Sequence, residues 1–160
     1  MAQPALTGKA DSGGPVRRAG SWIERQTVLL AAICMGNTRT PRMPLLTKSL
    51  RAQLLLNGRQ QRLRRGTSEE IDFPPVVKLF APWGAATWLL TELDPEDEDT
   101  AFGLCDLGMG SPELGSVSLS ELEAIRGPLR MRLEADRPFR PVTTLERYAD
   151  DARRVGRIKA

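Results

Sequence analysis

The sequence predicts an α+β fold: an antiparallel sheet of about five short strands with two to three helices packed on one face. Three observations carry that prediction. Branched and aromatic residues cluster at 76–80, 87–93 and 101–107, joined by connections too short for parallel crossovers. Helical spacing and capping residues flank this block and do not interrupt it. Of the 160 residues 41% are apolar and 27% charged, enough for a packed core, and no apolar run reaches the roughly 20 residues of a membrane span.

Residues 1–42 differ from the rest. They hold six basic residues (Lys9, Arg17, Arg18, Arg25, Arg39, Arg42) against Asp11 and Glu24, with five glycines and three prolines. Their one apolar run, 28–35, has no amphipathic neighbour to pack against. The segment reads as a disordered leader or a mis-assigned start, with translation beginning at Met1, Met35 or Met43. A signal peptide fits less well because no small-residue cleavage site follows the run. A basic arm for an anionic surface lacks aromatic partners beyond Trp22.

Residues 43–160 form the expected single α+β domain. Thr47 can cap a helix on which Leu50, Leu54 and Leu55 share a face, and Asn57-Gly58 is predicted to end it. Pro74 and Pro75 set an extended entry into 76–80, and Pro82-Trp83-Gly84 turns the chain into 87–93, a hairpin. An acidic loop, 94–99, leads to a third strand over 101–107, where Gly103 marks a bulge. After the turn Gly108–Pro112, residues 114–117 make a short fourth strand. Ser118 with Glu121 and Ser120 with Glu123 are overlapping capping boxes that start a helix, and Gly127-Pro128 ends it. Residues 129–136 alternate strictly between apolar and charged, predicting a half-exposed fifth strand. Thr143 with Glu146 opens a last helix through about Arg154, with Leu145, Tyr148 and Ala149 inward.

The runs LLTKSLRAQL (45–54), VVKLF (76–80), TWLLTELD (87–94), FGLCDLG (102–108), ELGSVSLSELEAIRGP (113–128) and LEADRPFRP (133–141) resemble a bacterial family known as domain of unknown function 2958. The similarity covers about residues 44–147. It implies a small protein often carried on plasmids and other mobile elements, and a start near LLTK. It implies no activity.

Several chemistries are excluded outright. The chain has no histidine, which removes Ser-His-Asp and Cys-His nucleophile systems, HExxH zinc sites and His-ligated metals. Two cysteines, Cys34 and Cys105, make neither a four-cysteine zinc site nor a disulfide framework, so a reducing cytoplasm is the expected compartment. The strand setting of Cys105 predicts a buried, unreactive thiol. Ser118 and Ser120 have the spacing of helix caps and no nearby base, and no phosphate-binding glycine loop is present.

Two groups of residues remain. Glu92, Asp94, Asp106, Glu113, Glu134 and Asp136 lie on strands or strand ends. Convergence of Glu92, Asp94, Glu113, Glu134 and Asp136 would bind Mg²⁺ or Mn²⁺ and support a metal-dependent nuclease or phosphodiesterase. Lys48, Arg51, Arg59, Arg62, Arg64 and Arg65 form a basic stretch. With an exposed Trp83 as stacking platform, Lys48, Arg51, Arg62, Arg64 and Arg65 would contact single-stranded nucleic acid or another partner. The net charge of +3 hides opposed blocks: residues 43–68 carry six basic residues and no acid, and 69–113 carry eleven acids and one lysine. That segregation favours steered association, so the leading expectation is a non-enzymatic cytoplasmic accessory module that binds a macromolecular partner and needs no small-molecule cofactor.

Overall fold

A computed structural model describes residues 44–160; the expectations for 1–42, including the leader and Cys34, lie outside the described residues. Helix α1 spans Lys48–Arg62, and the Thr47 side chain accepts the Leu50 N–H at 3.2 Å, the predicted cap. It does not stop at Asn57-Gly58. Asn57 Nδ2 donates to the Thr91 carbonyl at 2.8 Å, and Gly58 lies against the Leu93 carbonyl, where a Cβ would sit 2.0 Å from the oxygen. Both residues serve a close helix–sheet crossing, and that tertiary contact overrides their local tendency to end a helix. One turn on, Gln61 is fully buried and exchanges two hydrogen bonds with the Ile71 backbone, at 2.9 and 3.2 Å.

The sheet contains β1 (Val77–Phe80), β2 (Thr87–Leu93), β3 (Thr100–Asp106), β4 (Glu113–Ser118) and β5 (Glu134–Ala135), ordered β4-β3-β2-β1-β5 with every pairing antiparallel. Short hairpins explain neighbours in sequence becoming neighbours in space. The expected irregularity beside Gly103 is present, but the extra residue is on β2, where the register shifts between Leu90 and Glu92.

The remaining helices are α2 (Leu119–Ala124) and α3 (Leu145–Val155). They correct one feature of the predicted architecture, because the helices divide between the two faces of the sheet. Leu79, Trp88, Leu90, Cys105 and Val117 pack with Leu54 of α1 and Leu122 of α2, whereas Leu89 and Leu104 pack with Leu145, Tyr148, Ala149 and Ala152 of α3. The physical reason is visible in β2, where Trp88 to Leu93 are all buried. A strand covered on both sides loses the alternation that would tell one face from the other.

The fifth strand is the largest departure. Residues 129–136 alternate as a strand should, yet Pro128–Arg130 form a 3₁₀ turn, with Leu129 (φ 55°) and Arg130 (φ 60°) in the left-handed region. Leu129 is 97% exposed, and only Glu134 and Ala135 pair with β1. Alternation shows that a strand would be half-buried, not that a partner exists, and β1 offers four residues in all. At α3 the cap also differs: Thr144 occupies the N-cap without a side-chain bond, and Asp72 Oδ1 accepts the Glu146 N–H at 3.1 Å from the other side of the chain.

Candidate functional site

The five carboxylates proposed as metal ligands do not assemble. Glu92 is buried near the end of β2, with Arg65 Nη2 at 3.8 Å; Asp94 Oδ1 accepts the Glu96 N–H at 2.8 Å in the following loop. Glu113 is exposed on β4 opposite Cys105, Glu134 is exposed on β5, and Asp136 pairs with Lys78 at 3.1 Å. Strands β4 and β5 are the two edges of the sheet, four strand spacings or roughly 19 Å apart. A divalent ion needs its oxygens within about 2.0–2.6 Å of one centre. Among the described residues no group of three or more His, Cys, Asp or Glu is placed to hold one. Asp106 is committed elsewhere: it is 2% exposed, Oδ1 accepts the Gly108 N–H at 2.8 Å and Oδ2 the Ile158 N–H at 2.9 Å.

The basic stretch meets its counter-charge inside the molecule. Arg51 Nη2 lies 3.5 Å from Glu98 Oε2 and also donates to the Glu98 carbonyl, and Arg62 Nη2 lies 2.6 Å from Glu96 Oε1. Arg65 faces Glu92, and Arg64 Nη1 donates to the Gln60 carbonyl at 3.0 Å. Lys48 and Arg59 are exposed. The exposed Arg51–Glu98 and Arg62–Glu96 pairs contribute about 0–1 kcal/mol each, so they do little for stability. The effect of the pairing is to fold the two opposed charge blocks of the sequence onto each other.

The acidic loop is itself ordered by hydrogen bonds. Asp97 Oδ1 accepts the Asp99 and Thr100 N–H groups, both at 2.7 Å. Asp99 takes the hydroxyls of Ser118 (2.6 Å) and Ser120 (3.0 Å) and the Ser120 N–H (2.9 Å), so both serines are structural. Burial works against the charged form of Asp99, but the bonds from Ser118 and Ser120 outweigh it and hold its pKa below the usual carboxylate value. A lowered folded pKa contributes stability above the unfolded value, near 4, that is lost as pH falls through the folded one. Asp99→Asn is therefore expected to lower Tm at pH 7, with the difference from the wild type closing as pH falls below about 4 in thermal melts. A gap that stays constant with pH would show that the carboxylate charge plays no part.

Trp83 is not the exposed platform expected of a turn. It is half-buried against the α1–α2 side core, and its indole lies over Gly127, where a Cβ would meet the ring at 2.2 Å. Trp88 is core at 3% exposure. Cys105 is fully buried, and burial first, then the nearby Glu113 charge, push its thiol far above the range in which it reacts.

What sequence reasoning missed is a groove of about 690 Å³ beside β5. Leu45, Leu50, Leu133 and Phe139 contribute its apolar lining, and Arg132, Arg137 and Arg140 its cationic rim. Its volume lies in the roughly 300–1,000 Å³ range of ligand-binding clefts. The rim comes from residues on both sides of β5, whose arginines were legible in the sequence; Leu45 and Leu50 of the apolar wall come from more than 80 positions away and were not assignable to it.

Fold and groove together define a small α+β protein with a five-stranded antiparallel sheet, helices on both faces and an arginine-rimmed cleft at one sheet edge. A family model described as protein of unknown function (DUF2958) matches residues 45–159, and the chain belongs to that family. No curated protein and no solved structure matches it. Among the described residues no helix is long and apolar enough to cross a membrane.

Proposed function

We propose that this protein is a non-enzymatic, cytoplasmic accessory module that binds a protein partner, in keeping with the mobile-element setting that its family resemblance implies. The observation that carries the reading is the groove beside β5, an apolar cleft with a polar rim of the kind that takes peptide segments. Two further observations favour protein over nucleic acid. Arg51, Arg62 and Arg65 already face carboxylates, and the Trp83 ring is covered by Gly127. The metal-dependent nuclease reading loses its support with the separation of Glu113 from Glu134 and Asp136 across the sheet.

A displayed random-peptide library panned on the full chain tests this, alongside anisotropy of a labelled single-stranded oligonucleotide in physiological salt. Enrichment of peptide binders is expected, with the oligonucleotide held no more tightly than the roughly 1–100 µM of non-specific contact. An oligonucleotide bound more tightly than every selected peptide, with affinity falling steeply in salt, would transfer the function to the basic face of α1.

A further inference from the structure

We infer that the open edge of β5 accepts an extended acidic and apolar segment of a partner protein as a sixth strand of the sheet, an inference that rests on the protein-binding reading above. Strand β5 is terminal in the sheet, and residues 132–137, which contain it, form one wall of the groove. Main-chain groups of successive residues in an antiparallel ladder aim to opposite sides. Glu134 is paired with Phe80, and the Asp136 N–H donates to the Lys78 carbonyl at 2.8 Å. The N–H and C=O of Ala135, between them, therefore aim away from β1 toward the open edge, where an added strand would bond.

The groove also states the chemistry of the added strand. Alternate side chains of an extended peptide would reach its apolar lining, Leu45, Leu50 and Leu133, so every second residue must be apolar. The intervening residues meet charge. Arg132 is half-buried, Arg137 and Arg140 are exposed, and among the described residues Arg140 Nη1 bonds the carbonyls of Arg137 and Phe139. Of the carboxylates at the groove, Asp136 is held by Lys78 and Glu123 Oε1 accepts the Leu45 N–H at 3.3 Å, which leaves three arginines facing Glu134. An acidic segment complements that rim. The chain's own residues 1–42, with six basic residues against two acidic ones, have the wrong sign, and edge-to-edge pairing of two copies would bring both arginine sets together.

The probe is a fluorescein-labelled peptide of about eight alternating Val and Glu residues, the length of a long strand. Its controls alternate Val and Lys, or carry N-methyl groups on every second amide in each of the two possible phases. Anisotropy with the full chain is expected to show the Val/Glu peptide bound at least roughly tenfold more tightly than the Val/Lys peptide, with one methylated phase abolishing binding. Exchanging Arg137→Glu together with Arg140→Glu, both exposed positions, is expected to reverse the charge preference. Hydrogen exchange should slow at Ala135 on binding. Ala135→Pro, which removes the outward N–H and none of the hydrogen bonds to β1, provides a second variant with binding lost. Equal binding of the Val/Glu and Val/Lys peptides, or indifference to both methylated phases, overturns the proposal. So does protection of the Ala135 amide before any peptide is added, which would assign the edge to the chain itself or to a second copy. Library peptides that bind the chain yet ignore the arginine and Ala135 variants would overturn strand addition alone and leave the protein-binding reading standing.

Discussion

Asp106→Ala is expected to destabilise the protein by about 3 kcal/mol and to release the chain after α3, the largest single effect of any carboxylate here. Both oxygens of Asp106 accept backbone N–H groups, from Gly108 in the next turn and from Ile158 beyond α3. The side chain is 2% exposed, so truncation leaves two donors facing a space that water enters poorly. Hydrogen bonds to an ionised acceptor contribute roughly 1.5–3 kcal/mol each, and the lower end suits two partly buried donors. In a domain of this size that corresponds to a fall in Tm of roughly 9–12 °C. The loss should be local as well as global. Ile158 packs against the cluster of Leu89, Leu104 and α3, so its release frees the backbone at the already exposed Arg157 and Lys159 for trypsin faster than global unfolding does. Asp106→Asn keeps one acceptor oxygen and should lose about half as much. Melts and timed trypsin digestion of the two variants measure both effects; an Asp106→Ala protein as stable as the wild type would mean that water replaces the carboxylate at both donors.

Gly58→Ala is expected to lower stability although alanine is the better helix former. In an isolated helix the exchange gains about 1 kcal/mol. Here the new Cβ would sit 2.0 Å from the Leu93 carbonyl oxygen and 3.0 Å from its carbon, both main-chain atoms that cannot rotate away. Overpacking of this kind costs about 1–3 kcal/mol, and the upper figure applies where backbone must move. The net is a loss of about 2 kcal/mol, or roughly 6–8 °C in Tm. The displaced helix would also strain the Asn57–Thr91 bond, the neighbouring contact of the same crossing. Urea titration with circular dichroism reads the change directly. A gain of stability would mean that α1 crosses β2 at a greater distance than the structure gives.

The same glycine shows how far local sequence reached. Thr47 as a cap, the start of α1 and its apolar face were all legible, because capping and helical spacing act within a few residues. Asn57-Gly58 misled because its role is fulfilled at β2, more than thirty positions away. The alternation of 129–136 misled in the opposite sense: a sound local pattern found only two residues of partner strand. Carboxylates at strand ends could be named as candidates, but whether Glu113 and Glu134 share a site depends on strand order, and they stand on opposite edges. Ser118 read correctly as a cap, but Ser120 lies inside α2, and the Asp99 carboxylate that binds both of them gave no local signal.

The charge blocks mark the boundary most clearly. Composition alone excluded histidine chemistry, while residue spacing and short connections predicted an α+β fold and order along the chain revealed a basic stretch followed by an acidic one. These properties depend on residue identity and on neighbours a few positions apart. Whether the blocks face outward to a partner or inward to each other depends on the packing of α1 against β2, which sets Arg51 and Arg62 beside Glu98 and Glu96. The groove likewise arises only where β5, α2 and the start of α1 meet. Side chains dozens of residues apart become neighbours through burial of the core, and that long-range arrangement decided which charges remain available for recognition.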